Sequence, residues 1–185
     1  MQIRIFKVFF ISILLLVFSG CLSKELPRIQ HYELSLDIEV WKQENKRIPK
    51  SPLIYQGTEA SLKIANRKIA YKTNANTFDY FVKNEWIEPL PLMIDSLVLK
   101  VAEYADISLL KSANARTSNF KLQILDFYYD TKREVVVLNL LLAQQDSNHL
   151  LTKETKVQKG GFDEIIKAMN QTINSALLDS FALLN

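Results

Sequence analysis

The sequence is poor in the residues from which most catalytic and metal sites are built. It has one cysteine, two histidines and four glycines in 185 residues. A single cysteine excludes an intramolecular disulfide. The few glycines, two of them adjacent at 160–161, leave no room for a Gly-rich phosphate loop, and no His-Glu-x-x-His or Gly-x-Ser-x-Gly motif occurs. Carboxylates do not cluster at metal-ligand spacing. We therefore expect no enzyme, no cofactor and no metal.

Long hydrophobic runs and a strong charge of one sign are also missing. The apolar segment at 8–18 is too short to cross a bilayer core of ~30 Å. The formal net charge is +3, and Arg4 and Lys7 supply two of those charges before residue 21. The remainder shows no basic patch or stripe, so a nucleic-acid partner is not expected.

The first twenty residues are typical of a bacterial export signal. A short basic start precedes the apolar run at 8–18, whose length suits a signal-peptide core. Residues 18–21 (FSGC) resemble the lipobox of bacterial lipoproteins, with Phe where Leu is commoner. We predict cleavage before Cys21 and attachment of a diacylglycerol to its thiol, joined by an N-acyl chain, since stable anchoring takes more than one signal. The alternative is an uncleaved anchor with an incidental cysteine.

The residues after Cys21 predict the membrane in which the lipoprotein is anchored, and the whole sequence predicts the domain organisation. Leu22, Ser23 and Lys24 include no acid, and acidic residues there commonly retain enterobacterial lipoproteins in the inner membrane. We therefore expect the periplasmic face of the outer membrane. Residues 1–20 are the signal, 21–29 a tether, and 30–185 one domain of ordinary size.

Hydrophobic periodicity predicts an α+β fold with two layers. Alternation predicts strands at 31–40 and 150–159, and shorter strands are predicted at 53–59, 68–72 and 77–83. Strands are also predicted at 120–129 and 134–145, which are apolar on both faces, as in strands that are central in a sheet or covered on a second face by a partner. The strands at 120–129, 134–145 and 150–159 form a meander at the centre of a mainly antiparallel sheet. Helical spacing predicts helices at 89–105 and 162–184, both packed on one face of the sheet.

The connecting segments carry weaker signals. Residues 41–52 contain two prolines and four basic residues and predict an exposed loop. Contact with anionic headgroups or an acidic partner is the alternative there. Residues 73–76 predict a turn in which asparagine tolerates a positive φ. Residues 109–112 predict a short strand, and 113–118 a polar loop.

The stretch 67–104 resembles the ABC-type transport auxiliary lipoprotein family, which includes the lipoprotein of the paraquat-inducible intermembrane transport system. The matching pieces are 69–72 (IAYK), an aromatic strand with Phe78, Tyr80 and Phe81, and 86–90 (WIEPL), which resembles the family's W-x-E-P-L. The lipobox, the long hairpin and the C-terminal helix follow the family's order. The insertion at 41–52 departs from it.

The resemblance implies an accessory role in lipid transport. Family members accompany MCE-domain proteins, which work with an ABC permease and ATPase, and some members assemble as rings. The chain would then dock the periplasmic lipid conduit to the outer membrane, and a homo-oligomer is compatible with that role. A structural assembly lipoprotein, which activates a cell-wall synthase or serves outer-membrane assembly, is the alternative class.

The motif residues have two interpretations. As scaffold, Trp86 fills the strand-to-helix corner against the helix, Glu88 favours the positive helix N-terminus, Pro89 fixes the first helical φ and Leu90 opens the apolar stripe. As contact residues, Tyr71, Tyr80, Phe81 and Trp86 form one aromatic group that meets a partner or a lipid tail.

Overall fold

A computed structural model describes residues 28–43, 49, 51–110, 118–145 and 147–184. Cys21, the predicted signal and most of the tether lie outside the described residues. In chain order the elements are β1 (Gln30–Tyr32), α1 (Ile38–Gln43), β2 (Leu53–Ala60), β3 (Lys68–Asn74), β4 (Thr77–Trp86), α2 (Leu90–Tyr104), β5 (Ser118–Asp130), β6 (Val135–Gln144), β7 (Asn148–Lys156) and α3 (Phe162–Leu183).

One mixed sheet contains all seven strands. Its order is β1-β4-β3-β5-β6-β7, and β2 also pairs with β5. β2 lies beside the first half of β5 and β3 beside its end, so the two follow one another along the same edge. These two pairings and β1–β4 are parallel, while the hairpins are antiparallel.

The predicted hairpin of long strands is confirmed, but the meander does not form the centre of the sheet. β5 and β6 are interior strands, whereas β7 is an edge strand that pairs only with β6. The other strands all join on the far side of β5. Two of them do so by parallel pairing, which alternation along a single strand does not report.

Two long helices cover one face of the sheet. Alternate residues of β6, Val136, Leu138, Leu140 and Leu142, are fully buried in a core that includes the inner faces of α2 and α3. The alternation follows from the period of two in a strand. The two-layer α+β architecture and both predicted long helices are confirmed, and α1 adds a third, short helix. The opposite side of the sheet is called the open face below.

The predicted strand at 31–40 is wrong beyond its first residues. β1 ends at Tyr32, and a short helix begins at Ile38. The Asp37 carboxylate accepts the backbone N–H groups of Glu39 and Val40, which is how a helix N-cap acts. Leu34 is buried all the same. The apolar alternation here therefore reflects packing by an extended segment outside the sheet.

The exposed loop predicted at 41–52 is also wrong in its first part. Trp41 is only 6% exposed and meets the ring of Phe181 edge-on at 6.2 Å. Pro49 is buried as well. Of the four basic residues, Lys42 is exposed; the other three lie outside the described residues.

The structure corrects two predictions for connecting segments. At 73–76 the Asn74 side chain accepts the N–H groups of Asn76 and Thr77, both at 2.9 Å. The non-glycine residues with positive φ among those described are Asp106 and Glu134, so asparagine does not supply one here. The strand predicted at 109–112 is a single bridge from Leu109 to Leu53. Residues 111–117 lie outside the described part, and Ser118 already belongs to β5.

Candidate functional site

The corner between β4 and α2 is built around Trp86. This side chain is 2% exposed, and its ring lies parallel to that of Phe127 on β5, with centroids 6.3 Å apart and planes within 3°. Its backbone N–H donates to the Arg67 carbonyl at 2.7 Å. Leu90, the first residue of α2, is 1% exposed. The stacking partner is thus a strand residue, and Trp86 shares one core cluster with the inner face of α2.

The residues around the start of α2, after Trp86, determine where the helix begins. Pro89 has ψ 135° and precedes the helix as its N-cap, so the prediction that it fixes the first helical φ is wrong. Its carbonyl accepts the N–H groups of Leu92 and Met93 at 3.0 and 3.3 Å. Pro91 takes the helical position that tolerates a missing N–H. Glu88 is exposed to solvent one residue before the cap.

The four aromatic residues of the contact interpretation do not form one group. Tyr71 and Phe81 pack together with ring centroids 4.7 Å apart, and Phe81 meets Phe162 at 4.7 Å on the helix side of the sheet. Tyr80 lies on the open face, and Trp86 is in the core. Tyr80 and Phe81 are neighbours in a strand, so their side chains must point to opposite faces.

The helix-side aromatic residues fasten the edge of the sheet to α3. Tyr32 of β1 packs on Phe162 at 5.1 Å, and its hydroxyl donates to Asp163 at 3.3 Å. Partial burial, and then the Asp163 carboxylate, raise the pKa of Tyr32. Burial and Asp79 act on the pKa of Tyr71 in the same direction. The contacts of Tyr32 thus join β1, the first strand described, to α3.

On the open face, lysines lie over aromatic rings. Lys72 is 4.4 Å from the ring centroid of Tyr128 and 5.8 Å from that of Phe78. Lys68 lies 5.1 Å from the Tyr80 ring, and Lys63 lies 5.3 Å from Phe78. We call these six residues, Lys63, Lys68, Lys72, Phe78, Tyr80 and Tyr128, the lysine–aromatic cluster. Such cation–π contacts are worth ~0.5–1 kcal/mol each when exposed.

Among the described residues, one lysine of the cluster forms an ion pair and two do not. Lys63 pairs with Asp126 at 2.5 Å, and Asn139 donates to the same carboxylate at 3.0 Å. Partial burial acts in the opposite direction, but these hydrogen bonds hold the pKa of Asp126 below its usual value. Within the described part of the chain, Lys68 and Lys72 form no ion pair. The cluster therefore carries uncompensated positive charge.

Two buried polar contacts were missed from the sequence. Asn174, fully buried in α3, accepts the Asp37 N–H at 3.0 Å and the Trp41 indole N–H at 3.1 Å, and donates to the Ser35 carbonyl at 2.9 Å. An asparagine beside Ile173 in the apolar stripe was the available signal.

The second contact joins α2 to a bulge in β2. The Tyr55 hydroxyl donates to Asp95 at 2.5 Å, and the Thr58 N–H donates to the same oxygen at 2.8 Å. Burial, and then the bond to Asp95, raise the pKa of Tyr55. Gly57, with φ 98°, makes the bulge. The carboxylate thus serves to hold a helix on a strand.

A half-open cleft of about 440 Å³ lies beside Gly160 and Gly161, lined on its apolar side by Tyr129, Val157 and Phe162. Across the residues described, no group of three or more His, Cys, Asp and Glu side chains is placed to hold a metal ion. In the same part of the chain, none of the helices has the length and apolar character needed to span a bilayer.

Comparison with known proteins shows the fold. No protein-family model matches the sequence, and no curated protein matches it significantly. A solved structure described as an uncharacterized protein superposes with a TM-score of 0.62 at 15% identity, over 82% of this chain and 95% of that one. Protein XCC0632 from Xanthomonas campestris, of family DUF330, superposes with a TM-score of 0.61 at 12% identity, over 83% and 89%. The chain therefore shares this α+β fold with both.

Proposed function

We propose that this chain is a lipid-anchored accessory protein of an intermembrane lipid transport system, held at the periplasmic face of the outer membrane. In that role it docks an MCE-domain protein, and through it the ABC permease and ATPase, to the membrane. The observation that carries the proposal is the coincidence of two sequence features. The sole cysteine stands at the lipobox position, and residues 86–90 resemble the W-x-E-P-L motif of a family of such lipoproteins.

The structure supports the proposal by giving that motif a role in folding. Trp86 and Leu90 are buried at the junction of sheet and helix, where replacement would disturb both layers. A motif that serves folding indicates a kind of domain rather than a reaction. The partner must then be recognised elsewhere, on exposed surfaces of the two layers.

The direct test is cross-linking mass spectrometry of the tagged, full-length protein in its native envelope. We expect cross-links to an MCE-domain protein and co-purification of a permease and an ATPase. The matched control is Cys21→Ser, which keeps the whole folded domain and removes the lipid. It should leave the membrane fraction and lose those cross-links.

Two results would count against the proposal in different ways. Recovery of an outer-membrane barrel or a peptidoglycan synthase, with no MCE-type protein, would favour the structural assembly alternative. A Cys21→Ser protein that still sediments with membranes after signal cleavage would contradict the lipid anchor itself. Separation of inner and outer membranes on a density gradient tests the address, and Leu22→Asp should move the protein to the inner membrane.

A further inference from the structure

We propose that the lysine–aromatic cluster, with its exposed apolar neighbours Leu62 and Val82, is a surface that rests on an anionic phospholipid bilayer. The proposal rests on the lipid anchor of the proposed function and adds the orientation of the domain. The open face lies against the lipid, and the helix layer points into the periplasm.

The first argument is the composition of the surface. Lys68 and Lys72 form no ion pair with a described carboxylate. Lys72 is close enough to Asp126 to help lower the pKa of that carboxyl group, but Asp126 is already paired with Lys63, so the three lysines have one carboxylate between them. Lysine near an anionic bilayer gains about fivefold in affinity per residue, and its long apolar stem can lie along a ring while the ammonium stays in water. Tyr80 supplies an amphipathic ring of the kind enriched at membrane–water interfaces.

The second argument is the apolar side chains beside the cluster. Leu62 is 92% exposed and Val82 is 82% exposed, which are the highest values among the large hydrophobic residues described. Val82 stands two residues beyond Tyr80 on β4. The turn that carries Leu62 is held over the same face, because the Tyr80 hydroxyl donates to the Lys63 carbonyl at 2.7 Å. Apolar groups projecting beside basic ones are the usual features of a protein surface that enters the headgroup region.

The third argument is the position of the tether. Arg28 is the first residue described, seven residues after Cys21, and a chain of that length spans at most ~25 Å. The described chain then enters β1, which pairs with β4 from Gln30↔Asn84 to Tyr32↔Trp86. The anchor is thus attached next to the strand that carries Tyr80 and Val82. A short tether makes the second contact effectively intramolecular, so a modest surface affinity suffices to orient the domain.

The helix layer offers a contrast in charge. Segment 33–42 and helices α2 and α3 contain eight carboxylates and only three lysines. An anionic bilayer repels that side and attracts the open face. Charge complementarity therefore favours lipid at the open face over lipid at the helices.

The test measures which face meets the lipid. The only natural cysteine is Cys21, so a cysteine introduced elsewhere is a unique site for a fluorescent label once Cys21 is lipidated. We would label Val82→Cys and, as the matched control, Leu99→Cys, which is 58% exposed on α2. Lipidated full-length protein is reconstituted into vesicles of phosphatidylethanolamine with phosphatidylglycerol, some lipids carrying a headgroup nitroxide. We expect the label at 82 to be quenched several-fold more strongly than the label at 99.

Charge variants then separate electrostatic contact from mere proximity. Lys68→Gln with Lys72→Gln should reduce the equilibrium constant between the contacting and the free orientation by about fivefold for each lysine removed. Lys42→Gln with Lys167→Gln, on the helix layer, should leave it unchanged. Vesicles of phosphatidylcholine, or salt at ~1 M where the Debye length falls to ~3 Å, should also abolish the difference between the two labels.

Several outcomes would overturn the proposal, and the measurements on vesicles do not depend on a transporter because the vesicles contain no other protein. Equal quenching at both positions, or stronger quenching at 99, would reject it. A label at 82 that stays in water on vesicles, yet is shielded in native envelopes, would assign the face to an acidic protein partner instead. If Cys21 carries no lipid, the test is repeated with a chain that starts at Leu22 and is held on nickel-chelating lipid by an N-terminal hexahistidine. This truncation spares the core, because the buried core residues described begin at Leu34.

Discussion

Replacing Trp86 by alanine separates the two interpretations of the motif at 86–90. The ring is 2% exposed and stacks on Phe127, so its removal leaves a cavity that the stacked partner cannot fill. Truncations of this kind cost ~3–5 kcal/mol. Since small domains are stable by only ~5–15 kcal/mol, a loss of about 4 kcal/mol is a large fraction of the total.

Urea denaturation, followed by circular dichroism, measures the effect. With a slope of about 2 kcal/mol per molar urea, the midpoint of Trp86→Ala should fall by about 2 M. Trp86→Phe keeps a stacked ring and should lose only ~1–2 kcal/mol. Val82→Ala, at an exposed position on the same strand, is the control and should stay within ~0.5 kcal/mol of the parent.

The reasoning would be refuted by a variant that keeps its stability and loses its partner. If Trp86→Ala lowered the midpoint by less than about 0.5 M and yet abolished the cross-links expected above, Trp86 would be a contact residue. The contact interpretation would then require the ring to become accessible in the complex. Retention of cross-links by Trp86→Phe would not rescue the scaffold interpretation, because either role accepts an aromatic ring.

Two further predictions concern polar contacts. Asn174→Ala leaves the Trp41 indole N–H and the Asp37 N–H without their partner. We expect the free energy of unfolding to fall by ~2–4 kcal/mol and the amide hydrogen of Asp37 to exchange faster. Unchanged exchange at Asp37 would contradict its hydrogen bond to Asn174. The pKa of Asp126 is lowered from 3.8, so the stability that it contributes is present above that pH and is lost as the pH falls through the lower folded value. The difference in free energy of unfolding between the parent and Asp126→Asn should therefore shrink in urea titrations carried from pH 6 down to pH 2.5. A constant difference would show that Lys63 and Asn139 do not stabilise the charged carboxylate.

Much of the fold could be predicted because its central elements follow one period each. Residues 90–104 and 162–183 bury a helical stripe, and β5 and β6 are apolar enough to be read as interior strands. The parallel pairings of β2 and β3 with β5 could not be predicted, since they depend on which strands meet rather than on the pattern within one strand.

The N-terminal segment shows why local pattern fails at the edge of a domain. Leu34 and Leu36 alternate with polar residues as they would in a strand. The backbone N–H groups between and after them, however, donate to side chains of α3 instead of to a neighbouring strand. Ser35 donates its N–H to Asn170 at 2.9 Å, and Asp37 donates to Asn174. Trp41 is buried although it opens a polar run. Only the partner side chains, more than 130 residues away, decide this conformation.

The separation of the predicted aromatic group onto two faces of the sheet could have been predicted from the sequence. Adjacent residues of a strand point to opposite faces, so Tyr80 and Phe81 were never able to serve one surface. The lysine–aromatic cluster, by contrast, brings together 63–72, 78–80 and Tyr128, which are separated by up to sixty-five positions. Cross-strand register places them side by side, and no single-sequence pattern reports that register.

The way in which β1 joins the sheet also decides how the domain bears a load. Any pull on the residues before Arg28 enters the described fold through three residues, Gln30 to Tyr32, in parallel register with β4. A pull directed along β1 would shear the hydrogen bonds of this pairing together rather than open them one by one. Next along the chain, the ring of Tyr32 packs on Phe162, and the segment after it donates hydrogen bonds to Asn170 and Asn174 of α3. A load applied at Arg28 would therefore be resisted first by the β1–β4 pairing at the sheet edge and then by the contacts with α3, the last helix described.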